Sequence, residues 1–249
     1  MHALFLLIAA GFAAGLMNAL AGGGSFVSLP ALIAAGLPSV AANASSTVAL
    51  FPGGVASAWA YGRGPQAPPP LPLKAALAVT VAGGLVGSVV LLATPTAAFD
   101  RILPWLLAAA TLMLAFGPRW SERIRGRLRS GPAVLIAGQF LLGVYGGYFG
   151  GAVGIMMLAF WSLLAGGELK DLQAPRTLLV TAANAAAVAW FVGARAVDWG
   201  SILAMAPAAL AGGWLGAQAG RRLPAAWVRR ATIALAACVT AAFFVRGYA

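Results

Sequence analysis

One glycine pattern occurs twice in the sequence, and this repetition constrains the fold more than any other feature. Gly-x-x-x-Gly, six residues and a further Gly occupy positions 11–22 and again positions 143–154, an offset of 132. Further residues recur at an offset of 132 or, later in the chain, 129; all the matched pairs are Gly11/Gly143, Gly15/Gly147, Gly22/Gly154, Ser45/Thr177, Arg63/Arg195, Gly83/Gly212, Gly84/Gly213, Gly87/Gly216, Pro95/Pro224 and Arg101/Arg230. Glycine matches alone are weak evidence in a chain with 32 glycines, but matched Pro and Arg positions indicate a duplicated half.

The composition indicates a membrane protein. Apolar residues make up 61% of the chain and charged residues 8%, whereas about a quarter of the residues in a soluble domain are charged. Segments long and uncharged enough to cross about 30 Å of hydrocarbon as helices are 73–93, 177–194 and 199–219. Shorter or proline-marked apolar runs are 40–62, 102–117 and 231–245. Two longer apolar regions, each interrupted by glycines, are 3–36 and 133–166.

The net charge of +11 could point to nucleic acid, but its distribution favours a membrane. The positive residues cluster in loops between apolar spans, where they mark the cytoplasmic face. We therefore expect a lipid bilayer around the protein and no nucleic acid as its partner.

The positive residues also predict how the two glycine-interrupted regions cross the membrane. If each region returns to the side it entered from, the loops 62–74, 118–132, 166–176 and 220–230 share one face with 13 positive residues, against three on the other. If each region crosses once, the split is 9 to 7, so the positive-inside rule favours hairpins. The 13 residues are Arg63, Lys74, Arg119, Arg123, Arg125, Arg127, Arg129, Lys170, Arg176, Arg221, Arg222, Arg229 and Arg230.

The predicted fold is an all-α polytopic membrane protein made of two inverted repeats. Each repeat is a glycine-broken, re-entrant-like hairpin plus three transmembrane helices, and this odd number of crossings turns the second repeat upside down. We predict a first repeat over 1–117, a basic cytoplasmic linker over 118–132 and a second repeat over 133–249. Both chain ends then lie outside the cytoplasm. Residues 3–21 imitate a signal peptide, but they lack a preceding Lys or Arg and belong to the repeat, so we expect them to be retained.

The broken hairpins suggest an anion site. A second limb that starts after a mid-membrane break presents unsatisfied N–H groups and about half a positive charge. Two such helix N-termini that converge can hold an anion, and glycine lets the backbone approach it closely. The tip residues predicted to line the site are Gly22, Gly23, Gly24, Ser25, Gly150, Gly151 and Gly154. The other repeated glycines are interpreted as close helix-packing faces; they are Gly11, Gly15, Gly83, Gly87, Gly143, Gly147, Gly212 and Gly216.

The segment after each hairpin carries candidate side-chain donors. Hydroxyls and amides suit an oxyanion that must leave again, although helix capping and interhelical hydrogen bonding are alternative uses. Arg176 either draws anions into a cytoplasmic entrance or is a plain positive-inside residue. The predicted donors are Asn43, Ser45, Ser46, Thr47, Arg176 and Thr177, with Asn18 and Asn184 as further candidates.

Enzymatic chemistry is not expected. His2 is the one histidine, and the five acidic residues lie in loops or at segment ends. A serine would therefore lack a base, and a metal ion would lack ligands. The same distribution disfavours a proton relay of buried carboxylates. We predict no catalytic residue, no metal site and no cofactor.

The glycine pattern, the turn Gly36-Leu37-Pro38 and the following hydroxyl-rich stretch together resemble the sulfite exporter TauE/SafE family. The resemblance covers nearly the whole chain. It implies a permease of the bacterial inner membrane for sulfur-containing anions such as sulfite, sulfonates or thiosulfate. The second copy departs from the pattern, because it has Gly154-Ile-Met-Met in place of three glycines and Pro175-Arg176 before Thr177.

We therefore interpret the chain as an anion exporter that alternates access around the paired hairpin tips and is driven by the membrane potential. A small-solute or anion channel, or a component of membrane assembly, is the alternative. The exact substrate, the transport direction, a coupling ion and assembly into a homo-oligomer are left open by the sequence, as is whether the hairpins are re-entrant or fully spanning.

Overall fold

The protein is all-helical in the part of the chain that its structure describes. The computed structural model covers residues 2–63, 69–124, 131–164, 172–220 and 222–248, with the backbone alone for 2, 118–124, 162–164 and 225. Within these ranges lie ten helices: α1 (His2–Ala21), α2 (Ser25–Ala34), α3 (Ser39–Tyr61), α4 (Leu73–Ala93), α5 (Thr96–Ile124), α6 (Pro132–Tyr148), α7 (Val153–Leu164), α8 (Gln173–Gly193), α9 (Trp199–Gly220) and α10 (Ala225–Tyr248).

Six of these helices have the length and hydropathy of a membrane span. The spans are Ala3–Ala21, Leu73–Ala93, Thr96–Gly117, Gln173–Gly193, Trp199–Gly220 and Ala226–Tyr248. Large apolar side chains also cover much of the exterior, and Leu203 and Trp227 are both about 70% exposed. Such an exterior suits lipid rather than water. The prediction of an all-α polytopic membrane protein is confirmed.

Both glycine-interrupted regions form helical hairpins with unequal limbs. The first limbs, α1 and α6, have 20 and 17 residues, whereas the second limbs, α2 and α7, have 10 and 12. At about 1.5 Å per residue, the second limbs reach only about half of the hydrocarbon thickness. α2 then ends in the turn predicted from Gly36, whose φ of +100° is the left-handed conformation common at helix C-termini.

The repeated glycines hold α1 against α9 and α6 against α4. A Cβ on Gly11 would lie 2.6 Å from the Met205 carbonyl oxygen, and one on Gly15 would meet the Ala209 carbonyl. In the other pair, a Cβ on Gly147 would meet the Gly84 carbonyl. Backbones approach this closely only where side chains are missing, so the interpretation of these glycines as packing faces is confirmed.

α3 and α8 pack against each other and join the two helix pairs, because α3 also contacts α9 and α8 contacts α4. α3 and α9 run in the same direction: the Ser45 side chain meets Asp198, just before α9, and Ser57 binds the Gly213 carbonyl. The remaining long helices, α5 and α10, pack against each other, while α5 also contacts α7 and α10 contacts α2.

α5 continues past residue 117 to Ile124, so the predicted linker 118–132 is helical in part. Pro118 has no N–H to donate to the Leu114 carbonyl four residues earlier. Arg229 of α10 supplies the missing donor, since its Nε lies 3.3 Å from the Leu114 oxygen, and its Nη2 also donates to the Ala115 oxygen at 2.7 Å.

Several sequence-based predictions fall outside the described residues. They concern the side chains of His2, Arg119 and Arg123, and the residues Arg125, Arg127, Arg129, Lys170 and Arg221. The linker at 118–132 and the inverted relation of the two repeats stay predictions.

Candidate functional site

The two hairpin tips meet each other inside the helix bundle. The Ala152 amide donates a 3.0 Å hydrogen bond to the Gly22 carbonyl. A Cβ on Gly22 would lie 3.7 Å from Gly154 Cα, and one on Gly150 would lie 3.7 Å from the Ser25 hydroxyl. Gly22 and Gly150 have φ angles of +72° and +78°, a left-handed backbone that glycine adopts without strain. The repeat partners Gly22 and Gly154 therefore contact each other directly.

Each tip leads into the N-terminus of a short helix. In α2 the first backbone hydrogen bond runs from the Phe26 amide to the Gly23 carbonyl. In α7 the amides of Ile155 and Met156 both donate to the Ala152 carbonyl. Amides in the first turn of a helix precede these bonds and have no helical acceptor; Gly154 carries one of them.

A small cleft lined largely by polar residues, with a cavity volume of about 20 Å³, opens on one side of the tips. The C-terminal half of α3 and the N-terminal half of α8 form its walls. The residues that line it are Asn18, Gly22, Gly54, Ser57, Gly154, Arg176, Thr177, Val180, Thr181 and Asn184.

Arg176 is the charged residue of this cleft, and it is only 3% exposed. Its Nη2 lies 3.3 Å from the Thr177 hydroxyl, which in turn donates a 2.8 Å hydrogen bond to the Gln173 carbonyl. Its Nε has no hydrogen-bond partner among the described residues. The guanidinium lies along the second tip, since a Cβ on Gly154 would be 3.4 Å from both Cζ and Nε of Arg176.

The electrostatic surroundings of Arg176 favour a bound anion. The residue lies in the first turn of α8 and against the first turn of α7, and neither turn contains an acidic residue. Helix N-termini carry partial positive charge, so they raise the energy of a cation placed there. A buried guanidinium also loses its hydration and needs a counter-charge or hydrogen-bond acceptors. An anion at the unpaired Nε would relieve both costs.

On the opposite side of the tips, which we call the closed side, buried side chains of α3 bind neighbouring helices. The Asn43 amide of α3 donates a 2.9 Å hydrogen bond to the carbonyl of Tyr148, the last residue of α6. The Ser45 hydroxyl accepts a 2.9 Å hydrogen bond from the Asp198 amide, immediately before α9. Both side chains are fully buried, and together they tie α3 to the second hairpin and to α9.

The structure thus places some of the predicted site residues in the cleft and others away from it. Gly22, Gly154, Arg176 and Thr177 line the cleft, as do the further candidates Asn18 and Asn184. The others have contacts elsewhere. The Ser46 hydroxyl lies 2.6 Å from that of Ser28, and Thr47 donates to the Asn43 carbonyl.

The remaining tip residues do not line the cleft. A Cβ on Gly23 would contact Met17, Phe26 and Thr232, and one on Gly24 would meet the Ala14 carbonyl and Asn18. A Cβ on Gly151 would meet the Phe149 ring.

Four lining residues were absent from the sequence-based prediction: Gly54, Ser57, Val180 and Thr181. Neither Ser57 nor Thr181 has a hydroxyl repeat partner, so the repeat gave no signal for them. Thr181 could have been found by position, because it follows Thr177 by one helical turn, whereas nothing in the sequence marked Ser57. Among the described residues, no group of three His, Cys, Asp or Glu side chains could hold a metal ion.

A bundle of hydrophobic helices around a polar cleft, formed where two broken hairpins meet, has the architecture of a membrane transporter. The sequence profile of the family described as Sulfite exporter TauE/SafE matches residues 7–243. The chain therefore belongs to the TauE/SafE family of membrane transporters.

Curated relatives support this membership. The probable membrane transporter protein YfcA of Escherichia coli (strain K12) is 31% identical over 211 residues, which cover 84% of this chain and 76% of the relative. A probable membrane transporter protein of Haemophilus influenzae is 27% identical over 86% of this chain and 84% of its own length. The probable membrane transporter protein ORF9 of a Sinorhizobium species is 30% identical over 89% and 83%, respectively.

Proposed function

We propose that this transporter moves small sulfur-containing oxyanions across the bacterial inner membrane and binds them in the cleft at Arg176. The observation that carries the proposal is a buried guanidinium whose Nε has no partner among the described residues. It lies beside the N-termini of α7 and α8, where a second positive charge is unfavourable without an anion. The family description, sulfite exporter, suggests the chemical class of the substrate.

The donors around the cleft suit an oxyanion. A guanidinium offers its N–H groups in a planar fork that matches two oxygens of a tetrahedral or pyramidal anion. The Gly154 amide and the hydroxyl of Thr181 add neutral donors. Neutral donors hold an anion without fixing it permanently, which a transporter requires because the substrate has to dissociate on the other side.

We further propose that access to the tips alternates between two sides. The cleft is open beside the C-terminal half of α3, while hydrogen bonds of Asn43 and Ser45 close the other side. In the predicted topology the loops at 62–74 and 166–176 are cytoplasmic, so the open cleft would face the cytoplasm. An exporter would load its substrate from this state.

Two contacts between repeat partners support the inverted arrangement of repeats 1–117 and 133–249. Gly22 touches Gly154, and the hydroxyls of Thr111 and Thr240, which are 129 positions apart, lie 3.0 Å from each other. Equivalent residues meet where they lie near a two-fold axis. Cysteine labelling from each side of the membrane tests the topology; labelling of the C-terminus from the cytoplasm would contradict it.

The proposed direction of transport, export, follows from the membrane potential. An inside-negative potential drives each exported negative charge outward by roughly 2.3 kcal/mol per 100 mV. This equals a concentration gradient of about fiftyfold per charge. We expect the potential and the substrate gradient to drive export.

The proposal is tested by flux measurements on the full-length protein in liposomes under an imposed potassium-diffusion potential. Sulfite is the anionic probe, and taurine, a zwitterion without net charge at neutral pH, is the control whose flux should not follow the potential. We expect saturable anion flux that follows the potential, and the Arg176→Gln variant should lack it. Flux that ignores voltage but follows an imposed pH gradient would contradict the proposed energetics. Flux at the wild-type rate by Arg176→Gln would contradict the proposal that the anion binds at Arg176.

A further inference from the structure

The cleft contains a single cation among the side chains that the structure describes. Among the described side chains that line it, Arg176 carries the charge, and the others are neutral: Asn18, Ser57, Thr177, Val180, Thr181 and Asn184. Each charge buried in a protein has to be balanced, because an unpaired buried charge is strongly unfavourable. The number of cations therefore limits the number of negative charges that the site can hold.

We infer that this site selects singly charged anions over doubly charged ones, with Arg176 as the residue that sets this selectivity. The inference rests on the proposed function and adds a charge rule to it. A monoanion and Arg176 form a neutral pair. A dianion leaves one negative charge uncompensated, and only the partial charges at the starts of α7 and α8 act on it. Those partial charges amount to about half a unit at each helix end.

Asn184 supports the same preference. It lines the cleft, and its Oδ1 is buried without a hydrogen-bond partner among the described residues. A carbonyl oxygen repels additional negative charge but accepts a hydrogen bond from a ligand that can donate one. Hydrogensulfite carries one negative charge and such a donor, whereas the sulfate and thiosulfate dianions carry two negative charges and no donor.

Methanesulfonate and sulfate form a matched pair of probes. Both are tetrahedral and present at least three oxygens, but a methyl group in the first replaces a charged oxygen in the second. We expect the purified full-length protein to bind methanesulfonate at least about tenfold more tightly than sulfate in calorimetric titrations. Equal or tighter binding of sulfate by the wild type would overturn the charge rule.

A second cation in the cleft should change the selectivity. Thr181 lies on the cleft wall of α8, so Thr181→Lys is expected to raise sulfate affinity relative to methanesulfonate by about tenfold. Ala194→Lys is the matched control, because it adds the same charge to an exposed position at the end of the same helix. An unchanged ratio in folded Thr181→Lys would contradict the inference.

In case Thr181→Lys fails to fold, a second experiment adds the positive charge chemically to protein that has already folded. Cys238 is exposed and is replaced first, by Cys238→Ala. Thr181→Cys in this background is then modified with a cationic or with a neutral thiol reagent of similar size. We expect only the cationic adduct to shift the ratio towards sulfate; identical shifts by both reagents would contradict the inference.

Arg176→Gln distinguishes a failure of the proposed anion site from a failure of the charge rule. If it weakens both probes while wild-type protein prefers sulfate, the proposed site stands and the charge rule fails. If neither probe binds, or if Arg176→Gln leaves both affinities unchanged, the proposed site fails and the charge rule fails with it.

Discussion

Ser45 and Thr177 occupy equivalent positions in the two halves, yet they contact different partners. Thr177 lies in the open cleft, where its hydroxyl accepts a hydrogen bond from Arg176. Ser45 is fully buried on the closed side, where it accepts one from the Asp198 amide. The residue before Thr177 is an arginine, whereas the residue before Ser45 is Ala44. One substitution thus gives one half-site a charge that the other lacks.

The surrounding scaffold shows no such difference. Gly15 faces the Ala209 carbonyl in the α1–α9 pair, and Gly147 faces the Gly84 carbonyl in the α6–α4 pair. The comparison teaches that the repeat preserves the packing of backbones while single side chains determine where an anion can bind. The predictions below test these two parts separately.

The largest effect is expected at Gly154, where the scaffold meets the charged half-site. A leucine there would displace the Arg176 guanidinium, which lies 3.4 Å from the position of a Cβ. We expect Gly154→Leu to lower anion flux on the order of a hundredfold, as a lost charge-assisted contact would. Gly193→Leu is the control, because nothing lies within 4 Å of a Cβ at that position. Normal flux by correctly inserted Gly154→Leu would show that the second hairpin tip does not line the anion site.

The second prediction concerns the scaffold. Gly15→Ala and Gly147→Ala each force a methyl group against a backbone carbonyl, so the helices have to separate. Overpacking of this kind costs about 1–3 kcal/mol, and the two substitutions should cost similar amounts in chemical unfolding of the purified protein. A large cost for only one of them would break the equivalence of the two helix pairs.

The third prediction separates Ser45 from Thr177. Thr177→Val removes a hydroxyl that positions Arg176 and should weaken anion binding several-fold, about 1 kcal/mol for the lost hydrogen bond. Ser45→Ala should instead lower the free energy of unfolding by about 1 kcal/mol and leave anion affinity unchanged, because the Asp198 amide loses its acceptor. Calorimetry and unfolding on both variants check this; equal losses of affinity would show that both halves bind the anion in this state.

The smallest effect is expected at Asp198, which caps α9 on the closed side. Hydrogen bonds from the Ser201 hydroxyl and amide lower the pKa of the Asp198 carboxyl, and the amide lies 2.8 Å from Oδ2. A lowered pKa means that the stabilisation is present above the ordinary aspartate value of about 4 and is lost as the pH falls through the folded-state pKa.

Unfolding of wild type and Asp198→Asn as a function of pH checks this prediction. Asparagine also caps helices, so Asp198→Asn should be nearly as stable at neutral pH but should lack the contribution that is lost in acid. Parallel pH profiles for the two proteins would contradict the prediction.

The membrane class, both hairpins and five of the six spans could be predicted from local hydropathy, glycine spacing and the distribution of positive charge. The sixth span, Ala3–Ala21, is instead the first limb of a hairpin, and the predicted apolar run 40–62 is not among the spans of the described helices. The packing role of Gly11 and Gly15 was likewise predictable, since small residues at helical spacing form contact faces. The division between Ser45 and Thr177 was not, because it depends on Asp198 and Tyr148, which are distant in the chain. Ser57 enters the cleft only through the crossing of α3 and α8, for which a single sequence carries no signal.

The most direct test of the account is anion binding to Arg176→Gln compared with Arg222→Gln. Arg222 is exposed between α9 and α10, so its replacement removes the same charge without touching the cleft. Because a hydrogen bond to a charged group contributes about 1.5–3 kcal/mol, we predict that Arg176→Gln weakens methanesulfonate binding about tenfold to a hundredfold. Arg222→Gln should bind like the wild type. Equal affinities of the two variants, with Arg176→Gln correctly folded, would contradict an anion site at the hairpin tips.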